Sequence, residues 1–165
     1  MQECSSVGRA SVSKTEGPRF ESVHSCHFPF SCTEIIMPQF ISAITLIVPD
    51  YDPAIEFYVG LMGFELIEDT ALSEDKRWVL VAPPGSTETR LLLAKAANEA
   101  QEEVIGEQAG DRVFLFLETY DFETDYAIMQ RAGILFLEEP REELYGMVAK
   151  WADPFGNRWD LIERY

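Results

Sequence analysis

The sequence predicts an α+β fold in which two βαβββ repeats pair into one curved mixed sheet around a cleft. Two observations carry this. The order strand, acidic turn, amphipathic helix, glycine, strand occurs twice, in ISAITLIVPDYDPAIEFYVGLMGFELIED and again in RVFLFLETYDFETDYAIMQRAGILFLEEP. Each occurrence is followed by two more strand-like runs, RWVLVAPP and TRLLLAKA in the first, MVAKWADP and NRWDLIER in the second. The copies register when Ala43 is set against Phe114 and Ile55 against Tyr126, with a one-residue gap before Gly63 and Gly133. The repeats span about residues 40–98 and 111–165, within one domain over 37–165.

In the first strand, alternation puts Ala43, Thr45 and Ile47 on one face. The following helix is expected to start at an Asp52 cap with Pro53 in its first helical position, to bury Ile55, Tyr58 and Met62, and to end at Gly63. Pro83-Pro84-Gly85 is turn chemistry between the third and fourth strands. On the fourth strand Arg90 shares a face with Leu92 and Ala94. Ala94 to Gly110 is the connection between repeats, with room for one helical turn or two. On the fifth strand Phe114, Phe116 and Glu118 share a face, and the second helix presents Tyr126, Met129 and Ala132 before Gly133. The last turn, Asp153 to Asn157, is symmetric about Phe155, which sets Lys150 opposite Asp160 on one face and turns Trp159 the other way, toward a helix.

Composition narrows the function. Eleven Phe, 6 Tyr and 3 Trp in 165 residues indicate a packed core. A net charge of −16 disfavours nucleic acid and anionic membranes, both of which attract Lys and Arg. No apolar run reaches the roughly 18 residues of a membrane span. All three cysteines and both histidines precede Met37, which removes thiolate sites and histidine bases from the main domain. Residues 1–36 show neither helical nor strand periodicity and are expected to be a disordered extension, with Met37 as a candidate start. Within it His24, Cys26, His27 and Cys32 lack the paired spacing of a zinc finger or knuckle. The stretch has no signal-peptide apolar region, so a cytoplasmic location is expected.

The runs ITLIVPDYDPAIEFYVGLMGFEL and DPFGNRWDLIE, with the repeat between them, resemble the vicinal-oxygen-chelate superfamily of glyoxalases, bleomycin-resistance proteins and extradiol dioxygenases. The resemblance covers most of residues 41–163. It implies a ligand cleft and a homodimer, but no single reaction, since the family includes both enzymes and drug-binding proteins. In its metal-dependent members the first and fifth strands supply histidines, and the fourth and last strands carboxylates. Those positions fall here on Ala43, Phe114, Leu92 and Asp160, so that only Asp160 keeps an oxygen ligand. No metal or other cofactor is therefore expected.

The residues expected to line the cleft are Thr45, Arg90, Leu92, Phe114, Phe116, Glu118, Lys150 and Asp160. Each has a functional and a structural reading. Lys150 and Asp160 are either a polar anchor for a ligand or a cross-strand ion pair that holds the hairpin. Arg90 is a carboxylate clamp or an exposed strand-end arginine. Glu118 is a base or a solvated strand end. Phe114 and Phe116 pack in the core or stack on a ligand ring. The expected function is metal-free binding of a small organic molecule, and the alternative is a lyase, isomerase or dioxygenase-type enzyme with a non-standard site.

Overall fold

A computed structural model describes residues 39–165. The expected N-terminal extension, with its His24, Cys26, His27 and Cys32, lies outside them.

Repeat 1 opens with β1 (Ala43–Val48), which buries Leu46 and Val48 and leaves Thr45 on the other face. Then come α1 (Tyr51–Ile55) and, without a break, a π-helical segment (Glu56–Leu61). The cap is Asp50, whose Oδ1 accepts the Tyr51 N–H at 2.7 Å, and not the expected Asp52. The helix thus begins two residues earlier. Pro53 still falls in the first turn, where its missing N–H leaves no bond unmade, and Asp52 pairs with Arg77 instead. In the wide π turn, Met62 N–H donates to Phe57 O at 2.9 Å. Gly63 follows at φ +73, and Gly133 holds the same place after the second helix at φ +85, a backbone region that a side chain would strain. The repeat finishes with β2 (Glu65–Ala71), β3 (Arg77–Ala82) and β4 (Arg90–Lys95). The connection holds one short helix, α2 (Glu99–Glu102), capped by Asn98.

Repeat 2 contains β5 (Leu115–Glu118), α3 (Phe122–Arg131), β6 (Leu135–Phe136), β7 (Arg141–Glu143), β8 (Gly146–Ala152) and β9 (Arg158–Arg164). Asp121 caps α3 through Thr124 N–H, and Phe122 and Met129 are buried beneath it. β7 is an addition to the expected pattern, and β6 is cut to two residues.

The two repeats share one topology. Sheet 1 runs β1-β4-β3-β2 and sheet 2 runs β5-β9-β8-β6, with β7 also on β8. In each, the first strand lies parallel to the last, and the other pairs are antiparallel. The α+β class and the duplication are as predicted, while the strand ladders resolve into two sheets, one per repeat, where one continuous sheet was expected. The reason lies in the core. Phe57 and Tyr58, neighbours in sequence, both reach sheet 2, with ring centroids 6.4 Å from Trp151 and 6.0 Å from Trp159 respectively. A single cluster joins Leu46, Val81 and Leu93 of sheet 1 to Ala149, Trp151 and Leu161 of sheet 2. The repeats therefore meet through the faces that carry α1 and its π-helical continuation, and the opposite face of each sheet is turned outward.

Two polar braces fix this arrangement. Asp153, 4% exposed, opens the last turn by accepting Phe155 N–H and Asn157 N–H, each at 2.9 Å, and also takes the Tyr58 hydroxyl at 2.6 Å. Burial first, and then the Asp153 carboxylate, push the Tyr58 hydroxyl well above the usual phenol range. Gln108, in the connection, accepts from Ile47 N at 2.8 Å, donates to Ile47 O at 3.2 Å, and donates to Asn157 Oδ1 at 3.0 Å. No helix among the described residues is long and apolar enough to cross a membrane.

Candidate functional site

The outward face of sheet 1 carries a cavity of about 610 Å³. Thr45 and Leu92, register neighbours on β1 and β4, form part of its floor with Ala94, and Trp78 of β3 and Gln101 of α2 complete its walls. Strand alternation accounts for the first three: Leu46, Leu91 and Leu93 point into the core, so Thr45, Leu92 and Ala94 must point out.

Charged groups rim this cavity. Arg77 is held by Asp52 at 2.6 Å and by both carboxylate oxygens of Asp69, and its guanidinium lies 5.2 Å from the centre of the Tyr51 ring. Lys95 pairs with Asp50 at 3.1 Å. Lys76 also lines the cavity and has no ion pair among the described residues.

A different chemistry occupies the outward face of sheet 2. Asp160 lies between Phe116 of β5 and Lys150 of β8, the latter as the turn symmetry predicts. The expected Lys150–Asp160 ion pair, however, is not formed. Lys150 Nζ lies 3.7 Å from Glu138 instead, and Arg141 of β7 pairs with Glu138 and, at 2.8 Å, with Glu143. Glu138 and Arg141 reach into the row from β7 and the loop before it, a strand not expected from the sequence, and draw the lysine away. Asp160 is left 5% exposed, and its Oδ1 has no hydrogen-bond partner among the described residues. Burial raises its carboxyl above the ordinary carboxylate range, against the opposing pull of Arg141 and Lys150.

Of the other expected residues, only Phe116 stays with either group. Arg90 lies opposite Ala43, with its Nε buried and unpartnered among the described residues. Glu118 is exposed and pairs with Arg164 at 3.2 Å, which matches its structural reading. Phe114 packs against the core, whereas Phe116 is 63% exposed beside Asp160. Seven of the eight residues thus divide between two outward faces, with Phe114 packed on the core, and they do not converge on one cleft within the chain. The resemblance-derived metal positions split likewise, Ala43 and Leu92 on sheet 1, Phe114 and Asp160 on sheet 2. Their donor set, three hydrocarbon side chains and one carboxylate, does not fit a divalent ion.

Sequence reasoning missed Lys76, Gln101, Glu138 and Arg141, and left Trp78 between core packing and stacking on a ligand ring without placing it in the cleft. Trp78 had a signal, because in RWVLVA it shares parity with Leu80, which lies opposite Leu92. The others come from connecting segments whose placement depends on tertiary packing.

Comparison with known proteins agrees with the architecture. The model of the Glyoxalase/Bleomycin resistance protein/Dioxygenase superfamily matches residues 40–161. A protein of Shewanella frigidimarina (strain NCIMB 400) is 55% identical over 128 residues, which cover 77% of this chain and 95% of the relative. Among solved structures, UcmS2 is 27% identical with a TM-score of 0.67, covering 76% of this chain and 98% of its own. TnmS3, an antibiotic binding protein from Streptomyces sp. CB03234, is 26% identical with a TM-score of 0.62, covering 80% and 100%.

Proposed function

The chain belongs to the Glyoxalase/Bleomycin resistance protein/Dioxygenase superfamily, and from that premise we propose that it binds a small organic molecule on the open face of its sheets, without a metal. The observation that carries this reading is the 610 Å³ cavity floored by Thr45, Leu92 and Ala94 and walled by Trp78. Its volume lies in the range of ligand sites, and its lining, an apolar floor with Thr45 and Gln101 and a charged rim of Asp75, Lys76, Arg77 and Lys95, suits an apolar or aromatic body that carries polar or charged substituents. Kinship with an antibiotic binding protein supports the same class of ligand. Cytoplasmic residence and assembly as a homodimer belong to this reading.

Trp78 provides the test, since it is 37% exposed while Trp151 and Trp159 are buried. Aromatic cations and small organic acids are screened by thermal shift, and each compound that stabilises the protein is titrated against tryptophan emission. A ligand of this site quenches the wild type and not Trp78→Phe. Hits that quench both proteins alike place binding elsewhere, and a complete lack of hits removes the proposal. Stoichiometric metal in protein beginning at Met37 and purified without chelator would overturn the metal-free reading.

One observation favours the alternative, an enzyme. A buried carboxyl with a raised pKa beside a lysine, as at Asp160 and Lys150, is suited to general acid–base work. Turnover of any compound that the screen finds, lost in Asp160→Asn, would support it.

A further inference from the structure

Three exposed tyrosines and a leucine gather at one end of sheet 2, where its strands stop. β5, β9 and β8 are neighbours in that order, and β7 adds to the far side of β8. Tyr120 follows β5, and Tyr165 follows β9, which runs parallel to it. Leu144 and Tyr145 form the two-residue tip between β7 and β8, where Glu143 pairs with Gly146, and Tyr165 N–H reaches Tyr145 O at 3.4 Å. Tyr120 and Leu144 are fully exposed, Tyr165 is largely so, and Tyr145 is about half exposed.

Nothing local demands these residues. A two-residue hairpin tip favours Asn, Asp or Gly for its backbone angles, and polar side chains cost nothing in solvent. The hairpin connections of repeat 1 follow that rule, with Ser73-Glu74-Asp75 between β2 and β3 and Ser86-Thr87-Glu88 between β3 and β4. A fully exposed Leu144, backed by three tyrosines from neighbouring strand ends, points to a contact outside the chain.

Shape and charge say what covers it. Beside Leu144 lies a hollow of about 450 Å³, lined by Glu142, Glu143, Leu144 and Tyr165. A knob next to a hollow is self-complementary, because about a twofold axis Leu144 of each copy enters the hollow of the other. The carboxylates here are already engaged: Glu143 pairs with Arg141, Glu118 pairs with Arg164, and Glu142 accepts the Tyr165 hydroxyl at 2.9 Å. Two copies of a chain with net charge −16 therefore meet here without a bare carboxylate at the centre of the contact. The four side chains expose roughly 500 Å², at 150–250 Å² for a whole aromatic residue. Two copies then bury about 1,000 Å², the lower limit of a specific interface.

We propose that a second copy of the chain docks on this end through Tyr120, Leu144, Tyr145 and Tyr165, as a reversible dimer. This rests on the homodimer part of the reading above and supplies its surface, at the strand ends and not on the open sheet faces.

Sedimentation velocity over a concentration series tests it on the full chain, with reductant present because Cys4, Cys26 and Cys32 can cross-link copies. The wild type is expected to pass from monomer to dimer, and sodium chloride to tighten the dimer by screening the repulsion of two acidic copies. Asn suits a hairpin tip, so Leu144→Asn should leave folding intact and raise the dissociation constant at least about tenfold, the loss of one packed apolar side chain. Tyr120→Ser should act in the same direction, and it carries the test if Leu144→Asn melts early in dilute protein. Leu72→Asn, at an exposed leucine on the β2–β3 connection, should change nothing. A monomer at every concentration overturns both the surface and the homodimer, and leaves this end to a different partner. A dimer that Leu144→Asn and Tyr120→Ser leave unchanged, that Leu72→Asn weakens as much, or that salt weakens, overturns the surface alone. A dimer weakened by Leu144→Asn and Tyr120→Ser in protein without any Trp78 ligand upholds the surface and sinks the sheet 1 reading.

Discussion

Two rows of three side chains hold the same place in the two repeats. In repeat 1 the row is Thr45, Leu92 and Leu80, across β1, β4 and β3; in repeat 2 it is Phe116, Asp160 and Lys150, across β5, β9 and β8. Both rows cross one parallel and one antiparallel ladder, so the backbone presents them alike. Their chemistry differs in every member that matters for a ligand. Repeat 1 offers an apolar floor under a cavity, and repeat 2 a charge without a full complement of partners. Symmetry belongs to the scaffold, and the difference between halves belongs to whatever the scaffold holds.

The same contrast extends to the turns between the last two strands, and it yields the largest expected effect. Repeat 1 makes this turn with Pro83-Pro84-Gly85, closed by Ser86 N–H on Pro83 O at 3.0 Å. Repeat 2 makes it with Asp153, which also receives Tyr58 from the other repeat. Asp153→Ala orphans several buried donors at once and should lower stability by about 3–5 kcal/mol. Ser86→Ala in the equivalent turn should cost under about 0.5 kcal/mol. Urea titration followed by tryptophan emission compares them, and similar losses for the two would erase the distinction between the turns.

Transplanting the charge into the apolar row comes next. Leu92→Asp places a carboxylate between Thr45 and Leu80, in a row that holds no cation of its own, and should cost about 2–3 kcal/mol and abolish ligand quenching of Trp78. Adding Leu80→Lys should return part of the stability and none of the quenching. A tolerated Leu92→Asp would mean that the two rows differ less than their burial suggests.

Neutralising the charged row should have a smaller effect, of opposite sign. Asp160→Asn relieves a buried, incompletely paired carboxylate and should raise stability by about 1–2 kcal/mol at neutral pH. The pH dependence follows from the raised pKa. A carboxyl that holds its proton more tightly when folded favours folding as pH falls, so the burden on the wild type is full above the folded pKa. It fades below that, and is gone under the unfolded value of about 3.9. The advantage of Asp160→Asn should therefore shrink as pH drops toward about 4. Arg141 and Lys150, the charges that act on the group, are present in both proteins, so the difference between paired melts isolates Asp160. A destabilised Asp160→Asn at neutral pH would restore the ion pair with Lys150.

The smallest effect tests the sheet 1 cavity. Trp78→Phe removes part of one cavity wall and should change stability by less than about 0.5 kcal/mol, while ligand affinity falls by about tenfold. Unchanged affinity would move the ligand off that wall.

Much of the fold was legible because it is written in short-range periods. Alternation gave the faces of β1, β4, β5 and β9, and the five-residue turn gave the Lys150–Asp160 register without reference to anything distant. What escaped depends on long-range packing. The cap moved from Asp52 to Asp50 because both can serve locally and Arg77, from another strand, claims Asp52. The Lys150–Asp160 bond failed although its register held, because Arg141 arrives from a three-residue strand, and Glu138 from the loop before it, neither with a periodic signature. The division into two sheets turns on Phe57 and Tyr58 both reaching across to the tryptophans of repeat 2, which no pattern within repeat 1 announces. The candidate site was legible in part for the same reason: Thr45 and Leu92 follow from parity, while Lys76 and Gln101 are brought in by connections.

β2 forms one border of sheet 1, and all seven of its residues are exposed. A free strand border with Leu66 and Ile67 on it is a template onto which another chain could add, the first step toward insoluble material. Three of its seven residues are Glu65, Glu68 and Asp69, and a bulge interrupts the ladder between Leu66 and Glu68. Like-charged borders repel when two copies approach, and a kinked border offers no straight run of free amides. The strong acidity of the chain thereby acquires a local purpose: at this border it opposes edge-to-edge strand addition between copies, and stripping charge from β2 would surface first as precipitation.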